Sequence, residues 1–187
     1  MRGSIGCSSR RGKAIRLETE RLILDLHGLE QFEPLHQMWA DAAVVRHIGQ
    51  PSSVQEAWMR LLRYRGLWPL LGYGYWALTE KASGRFVGDL GFADFHREIE
   101  PSIRGIPEAG WVLASWAHGQ GFASEALAAA LGWLDGRTGH ESSVCLIAPE
   151  NAPSLRLARR FGFRDERVVS FLGHETLLLR RSGPAER

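Results

Sequence analysis

The sequence has very few cysteines and no long apolar run. Only Cys7 and Cys145 occur among its 187 residues, which excludes a disulfide framework, and neither has a His or a second Cys at the spacing of a zinc site. No stretch approaches the roughly 18 apolar residues of a membrane helix, and the basic start of the chain lacks the apolar segment of a secretory signal. We therefore expect no metal, no membrane segment and a reducing, cytoplasmic location.

Acidic residues are absent from the start of the chain. Five cations occur in the first sixteen residues: Arg2, Arg10, Arg11, Lys13 and Arg16. Because the formal net charge of the whole chain is only +2, the remainder is mildly acidic, which argues against nucleic-acid binding as the main function. We expect a disordered basic tail at 1–14, a single domain at 15–181 and a frayed C-terminus at 182–187. The open alternative is that the tail binds RNA.

The apolar pattern predicts one α/β domain without an internal repeat. Strand-like runs occupy residues 15–26, 74–79, 86–95, 109–114, 143–148, 163–172 and 175–181. Helical periodicity occupies residues 32–42, 122–135 and 151–160, and a further helix begins at Ser53, which has Glu56 at capping-box spacing. We expect a single mixed, mostly antiparallel sheet of six or seven strands, flanked by about four helices. The strand–helix–strand unit at 109–148 predicts two central parallel strands.

A glycine-containing turn links the strand at 109–114 directly to the alanine-rich helix at 122–135. Gly119 and Gly121 allow close approach of the backbone, and the first amides of a helix lack intrahelical partners, so the turn is suited to binding phosphate. The Lys-Ser/Thr of a Walker motif is absent, and the third glycine of the dinucleotide fingerprint does not fit. The two glycines alone favour an ordinary strand-to-helix turn over a phosphate site.

Several motifs resemble the GNAT acetyltransferases. His118-Gly-Gln-Gly-Phe-Ala123 is similar to their Gln/Arg-x-x-Gly-x-Gly/Ala signature, with His118 in place of the usual first residue. Leu17-Glu-Thr-Glu-Arg-Leu-Ile-Leu24 resembles the opening strand of the RimJ/RimL branch, which acetylates the N-termini of ribosomal proteins. Gly110-Trp-Val-Leu and Asn151-Ala-Pro-Ser154 with Phe161-Gly-Phe163 resemble later motifs of the family. The resemblance covers about residues 15–181.

The resemblance implies the GNAT fold and acetyl-coenzyme A as cosubstrate. The two parallel strands would splay and admit the pantetheine arm, as though it were another strand, against the backbone of Trp111, Val112 and Leu113. Asn151 and Ser154 would lie near the thioester. The amides of the glycine turn and the first helical turn would hold the pyrophosphate: His118, Gly119, Gln120, Gly121, Phe122, Ala123 and Ser124.

Two residues are candidates for proton transfer. Glu108 lies two residues before Gly110 on the strand beside the expected cleft, and it is our candidate general base. Many family members use a Tyr as the acid, but the matching position here is Ala158, so Ser154 is the alternative for protonating or binding the coenzyme sulfur. Glu108 could equally be a solvated carboxylate, Ser154 a local hydrogen-bonding residue and Asn151 simply a helix cap.

The acceptor is predicted only as a class. We expect acetyl transfer to a primary amine, with a protein N-terminal α-amine first and a small-molecule amine (aminoglycoside, polyamine or amino-acid-like) as the alternative. A non-catalytic acyl-coenzyme A sensor is the competing hypothesis, and the chain is expected to be a monomer or homodimer. Five aromatic residues could wall the acceptor pocket or belong to the core: Trp58, Trp68, Tyr73, Tyr75 and Trp76. Trp68 and Tyr73, expected in a loop around Pro69 and Gly72, are the preferred pocket residues.

Overall fold

The computed structural model describes residues 15–137 and 139–184. These residues form eight strands: β1 (Leu17–Glu18), β2 (Leu22–Asp25), β3 (Tyr75–Glu80), β4 (Phe86–Ala93), β5 (Glu108–Leu113), β6 (Ser142–Ile147), β7 (Arg164–Phe171) and β8 (His174–Ser182). They also form five α-helices: α1 (Phe32–Ala40), α2 (Ala42–Val45), α3 (Val54–Leu71), α4 (Phe122–Arg137) and α5 (Ala152–Arg160). The expected basic tail at 1–14 and residues 185–187 of the expected frayed end lie outside the described residues.

The strands form one mixed sheet in the order β1-β2-β3-β4-β5-β6-β8-β7. Only β5 and β6 pair in parallel among the described strands, and every other neighbouring pair is antiparallel. The predicted mixed sheet with a central parallel pair is therefore confirmed. The sheet has eight strands rather than six or seven because the segment 15–26 folds back on itself, which pairs Leu17 of β1 with Leu24 of β2.

The described residues contain five α-helices rather than about four, because a short extra helix follows α1. Asp41 ends α1, and its side chain accepts a hydrogen bond from the Ala43 N–H at 2.9 Å. A short acidic side chain in this position satisfies an amide that has no partner inside the helix. The cap therefore starts α2 as a separate turn of four residues, where the sequence predicts one continuous helix at 32–42.

The capping box predicted for α3 is confirmed. The Ser53 hydroxyl accepts a hydrogen bond from the Glu56 N–H at 3.3 Å, and the Glu56 carboxylate accepts one from the Ser53 N–H at 2.7 Å. The helix continues through Pro69 and ends at Gly72, which has φ +78°. Trp68 is therefore helical, and the loop expected around Pro69 is wrong. No helix formed by the described residues is both long and apolar enough to span a bilayer.

Adjacent residues of β3 face the two sides of the sheet. Tyr75 packs in a cluster with residues of α1 and α3, including Leu35 and Leu61. Trp76 packs in a second cluster with residues of α4, including Leu127. Because side chains alternate along a strand, the first three helices cover one face of the sheet and α4 covers the other.

Candidate active site

The two parallel strands separate soon after they meet. Glu108 at the start of β5 lies opposite Val144 of β6, and the Val144 N–H donates a hydrogen bond to the Pro107 carbonyl at 3.0 Å. β5 then runs on to Leu113 and β6 to Ile147 without further pairing between them. The edge of β5 that faces β6 therefore offers main-chain donors and acceptors to an extended ligand.

A cleft of about 1210 Å³ opens at this separation. Its floor includes residues 108–112 of β5 and the end of β6, and it is bordered by α3, by the start of α5 and by the β7–β8 hairpin. Of the predicted site residues, it brings together Glu108, Trp111, Val112, Asn151 and Ser154. The volume exceeds the roughly 300–1,000 Å³ of a typical small-molecule pocket.

Both glycines of the turn before α4 adopt a left-handed backbone conformation. Gly119 has φ +74° and Gly121 has φ +82°, a region in which side chains other than hydrogen are strained. The first intrahelical hydrogen bond runs from the Glu125 N–H to the Gly121 carbonyl at 3.1 Å. The amides of residues 122–124 therefore have no acceptor inside the helix and point out of its N-terminus.

Side chains of the turn bind the turn itself. The His118 Nε2–H donates to the Leu113 carbonyl at 2.9 Å, and the Gln120 amide donates to the Trp116 carbonyl at 2.7 Å. The Phe122 side chain is buried, whereas Ala123 and Ser124 are partly exposed. The turn therefore presents mainly main-chain groups to a ligand. The hydrogen bond to the Leu113 carbonyl gives His118 a structural role.

Arg21 is a cation at the same helix terminus that the sequence analysis missed. Its Nη1 donates to the Gln120 carbonyl at 2.9 Å, its Nε donates to Glu125 at 2.7 Å, and its guanidinium lies 4.6 Å from the centre of the Phe122 ring. Burial by itself raises the pKa of Glu125, but hydrogen bonds from Thr19 and Arg21 outweigh it and hold the pKa below its usual value. The resemblance of residues 17–24 to a strand of the GNAT family was the sequence signal that could have pointed to Arg21.

Glu108 is held by Arg97. The Arg97 Nε donates to Oε2 at 2.6 Å and Nη2 donates to Oε1 at 2.7 Å, and the Glu108 side chain is only 7% exposed. Each carboxylate oxygen keeps one further lone pair. Glu108 can therefore accept a proton from a group in the cleft while the ion pair fixes its orientation.

Tyr75 reaches β5 from β3. It is paired with Gly91 of β4, which is in turn paired with Gly110 of β5, and a Cβ at Gly110 would overlap the Tyr75 hydroxyl. The ring stacks on Tyr64 with 4.4 Å between ring centres. Burial is the main cause that raises the pKa of Tyr75 well above 10. The hydroxyl is thus a protonated donor beside Glu108 and Gly110 at neutral pH.

Ser154 bridges the cleft between α5 and β5. The Trp111 indole donates to the Ser154 hydroxyl at 3.3 Å, and the Ser154 N–H donates to the side chain of Asn151, the cap of α5, at 3.2 Å. Ala158 is fully buried one turn later, so α5 offers no other hydroxyl at that position. The cap interpretation of Asn151 is confirmed, and Ser154 is within reach of the separated strands.

Trp68 and Tyr73 lie away from the cleft. Trp68 is 7% exposed and donates from its indole to the Tyr75 carbonyl at 3.1 Å, and Tyr73 is 4% exposed. Trp68 packs edge-on against Trp76 and Trp133. Neither residue lines the large cleft. Both rings are buried in the core instead, where large aromatic side chains contribute most to stability, so the cleft does not bring them together with the other predicted site residues. Tyr75 takes the cleft position instead.

Comparisons with known proteins agree with this geometry. Residues 21–164 match the family model described as "Acetyltransferase (GNAT) domain". The solved structure of a GNAT-family acetyltransferase from Bordetella pertussis, given as putative in its own description, has 36% identity and a TM-score of 0.80, covering 89% of this chain and 99% of that one. The uncharacterized N-acetyltransferase YoaA of Bacillus subtilis is 25% identical over 158 residues, which are 82% of this chain and 85% of YoaA.

A third similar protein was solved with its coenzyme. The structure of RimL, described as a ribosomal L7/L12 α-N-protein acetyltransferase in complex with coenzyme A, has 20% identity and a TM-score of 0.73, covering 90% of this chain and 97% of that one. At 20% identity, this similarity shows that the two proteins share a fold and nothing more. Among residues 15–137 and 139–184, no three His, Cys, Asp or Glu side chains are grouped as a metal site requires.

Proposed function

The chain belongs to the GNAT acetyltransferase family and is an N-acetyltransferase; from this premise we propose that it moves the acetyl group of acetyl-coenzyme A to a primary amine, first of all a protein N-terminal α-amine. The observation that carries the proposal is the separation of β5 from β6, which leaves an unpaired strand edge leading to the glycine turn of α4. The α-amine is favoured because the RimL structure with the same fold is described as an α-N-protein acetyltransferase.

The residues present fit the coenzyme. The edge of β5 at Trp111, Val112 and Leu113, which β6 leaves unpaired, would meet the amide groups of a pantetheine arm as a neighbouring strand does, and the Leu113 carbonyl already accepts a hydrogen bond from His118. The amides at the start of α4 and the positive end of its dipole match a pyrophosphate. Arg21 adds a cation at that end, partly neutralised by Glu125. A thioester, when bound, supplies an already activated acyl group.

Glu108 is the proposed base. An amine must be neutral to attack, and an α-amine has a reference pKa of about 7.7–8.0 against about 10.4 for lysine. Deprotonating the lysine at neutral pH costs roughly 3.5 kcal/mol more, so an α-amine needs only a weak base, and we propose that the carboxylate oriented by Arg97 accepts its proton. The ion pair holds the carboxylate at the mouth of the gap between the strands.

Two hydroxyls are positioned to supply hydrogen bonds or the returning proton. Ser154 bonds Trp111 across the gap. Tyr75 lies on the other side of β5, and its raised pKa keeps it a donor throughout the neutral range. Preorganised donors of this kind stabilise developing negative charge without having to reorient. We propose Ser154 for the coenzyme side and Tyr75 for the acceptor side.

The test is calorimetry with acetyl-coenzyme A followed by thiol-release assays with peptide α-amines and small-molecule amines. We expect binding, and release above background with peptides. If thiol is released only with small-molecule amines, the acceptor is a metabolite and not a protein N-terminus. Binding without release for any amine would favour a sensor, and absence of binding would contradict the coenzyme site itself.

A further inference from the structure

The α3 wall of the cleft carries two arginines that form no ion pair within the described part of the chain. Arg60 and Arg63 are three residues apart on α3 and both line the cleft. Neither forms an ion pair with any Asp or Glu of residues 15–137 and 139–184. Arg63 is exposed and is free to contact a ligand.

Arg63 shares an aromatic neighbour with Arg97. The guanidinium carbon of Arg63 lies 5.2 Å and that of Arg97 4.8 Å from the centre of the Phe95 ring. Arg97 is neutralised by Glu108, but Arg63 has no such partner. Partial desolvation first, and then the charges of Arg60 and Arg97, lower the pKa of Arg63 from its ordinary value.

Arg60 is held in place behind Arg63. Its guanidinium lies 3.4 Å from the centre of the Trp39 ring, and Nη2 donates to the Ser52 hydroxyl at 3.3 Å. Its Nε is buried and has no hydrogen-bond partner among the described residues. An immobilised cation whose donors are incompletely used strengthens the attraction of this wall for an anion.

The negative charges of the cleft lie on other walls. Glu150 follows β6 and Glu175 belongs to β8, and Glu108 is on β5. Asp94, which follows β4, accepts hydrogen bonds from the Gly105 and His96 amides. The carboxylates of the cleft therefore lie along the sheet, while Arg60 and Arg63 are its cations on α3; Arg46 and Arg97 are further cations outside α3.

We propose that Arg63, supported by Arg60, binds an anionic oxygen group, a carboxylate or phosphate, that the amine acceptor itself carries. This inference rests on the proposed acetyl transfer and narrows its acceptor. The sequence of contacts Glu108, Arg97, Phe95 and Arg63 connects the candidate base to the anion site. An acceptor with both an amine and an anion spans these two ends, whereas polyamines and aminoglycosides would place further positive charge against the α3 wall.

The experiment uses two peptides that differ at one position near the N-terminus, which is Glu in the first peptide and Gln in the second. Each peptide is assayed with the wild-type protein and with the Arg63→Gln variant. The loss caused by Arg63→Gln, measured as kcat/KM, is expected to be about tenfold or more larger for the Glu peptide, because a charge-assisted hydrogen bond is lost only there. Arg65→Gln is the matched control, since Arg65 is exposed on the same helix and does not line the cleft. It should affect both peptides equally.

Direct binding separates this inference from the proposed function. Calorimetry of the same two peptides with the coenzyme A-bound protein needs no turnover, and the Arg63-dependent preference for Glu should appear there as well. A small aminocarboxylate and an aminoalkyl phosphate, compared with their neutral analogues, reveal whether the anion comes from a peptide or a metabolite. Equal losses for all charged and neutral partners would overturn the anion site, while failure of acetyl-coenzyme A to bind would overturn the proposed function.

Discussion

The hydroxyl of Tyr75 lies against Gly110, although the two residues belong to β3 and β5 and β4 runs between them. Gly91 is the residue of β4 that is paired with both. A Cβ at Gly91 would overlap the backbone at Gly74 and Tyr75, and one at Gly110 would overlap the hydroxyl. Gly91 thus lets the backbones of β3 and β4 approach closely, and Gly110 leaves room for the Tyr75 hydroxyl, which lines the cleft.

Tyr75→Phe tests whether this hydroxyl takes part in the reaction. The substitution keeps the ring stacked on Tyr64 and removes only the donor, so kcat should fall by about 100-fold, the lower end for a proton-transfer group, with little change in the affinity for acetyl-coenzyme A. Steady-state kinetics and calorimetry measure the two quantities. Tyr73→Phe is the control, because Tyr73 does not line the cleft; equal rates for both variants would remove Tyr75 from the mechanism.

Gly121→Val tests the proposed pyrophosphate cradle. At φ +82° a branched residue is strained, which costs about 1–3 kcal/mol, and its Cβ would lie 3.4 Å from Arg21 Nη2 at the same helix terminus. We expect the Kd for acetyl-coenzyme A to rise by at least about tenfold, while circular dichroism still reports the fold. Gly136→Val is the control within the same helix, where a Cβ meets open space. Unchanged affinity in Gly121→Val would contradict the assignment.

Glu108→Gln and Ser154→Ala separate the two proposed catalytic roles. Gln keeps the shape of Glu108 but cannot act as the base, so kcat should fall by about 100-fold or more, and unfolding should cost about 1–3 kcal/mol less because Arg97 loses a charged partner. Ser154→Ala should lower kcat less. Glu98→Gln is the control, since Glu98 is exposed outside the cleft, and Glu108 loses its role if its variant turns over as fast as this control.

Glu125→Gln tests the contact that joins β2 to α4 through Arg21. The carboxylate has a depressed pKa in the folded chain, so its ionisation stabilises the fold above its unfolded pKa of about 4.3 and this stabilisation is lost as pH falls through the folded value. The variant should be less stable by about 1–2 kcal/mol at pH 7. Urea denaturation at a series of pH values should show the difference shrinking below about pH 4; a constant difference would exclude the ionised carboxylate as its cause.

Local patterns were sufficient to predict most elements. The capping box at Ser53 and the cap at Asn151 depend on residues three positions apart or fewer, so the sequence specifies them directly. The turn at Gly119 and Gly121 is of the same kind, because positive φ is a property of the glycines themselves. The failures arose where a pattern was ambiguous, as at Pro69, which α3 accommodates in its last turn.

The site residues that sequence reasoning missed are joined by long-range contacts. Arg97 meets Glu108 across a loop, and Arg21 meets Glu125, which lies 104 residues later in the chain. Tyr75 was recognised only as one of several aromatic residues, and Trp68 was preferred to it. No local pattern distinguishes a ring that enters the core from one that reaches a cleft, because the choice depends on glycines in strands that pair only after folding.

The sequence by itself determined the order of helices and strands, the caps, and the glycine turn with its unpaired amides, since these follow from hydrogen bonds and backbone preferences between near neighbours. Tertiary structure alone decided which charges meet. Arg97 forms two hydrogen bonds with Glu108, and Arg63 lies in the same cleft without an ion pair within the described residues. Both arrangements arise because the sheet and α3 bring distant residues to one cleft. Burial and electrostatic pairing are properties of that assembled surface, and residues far apart in the chain acquire them together.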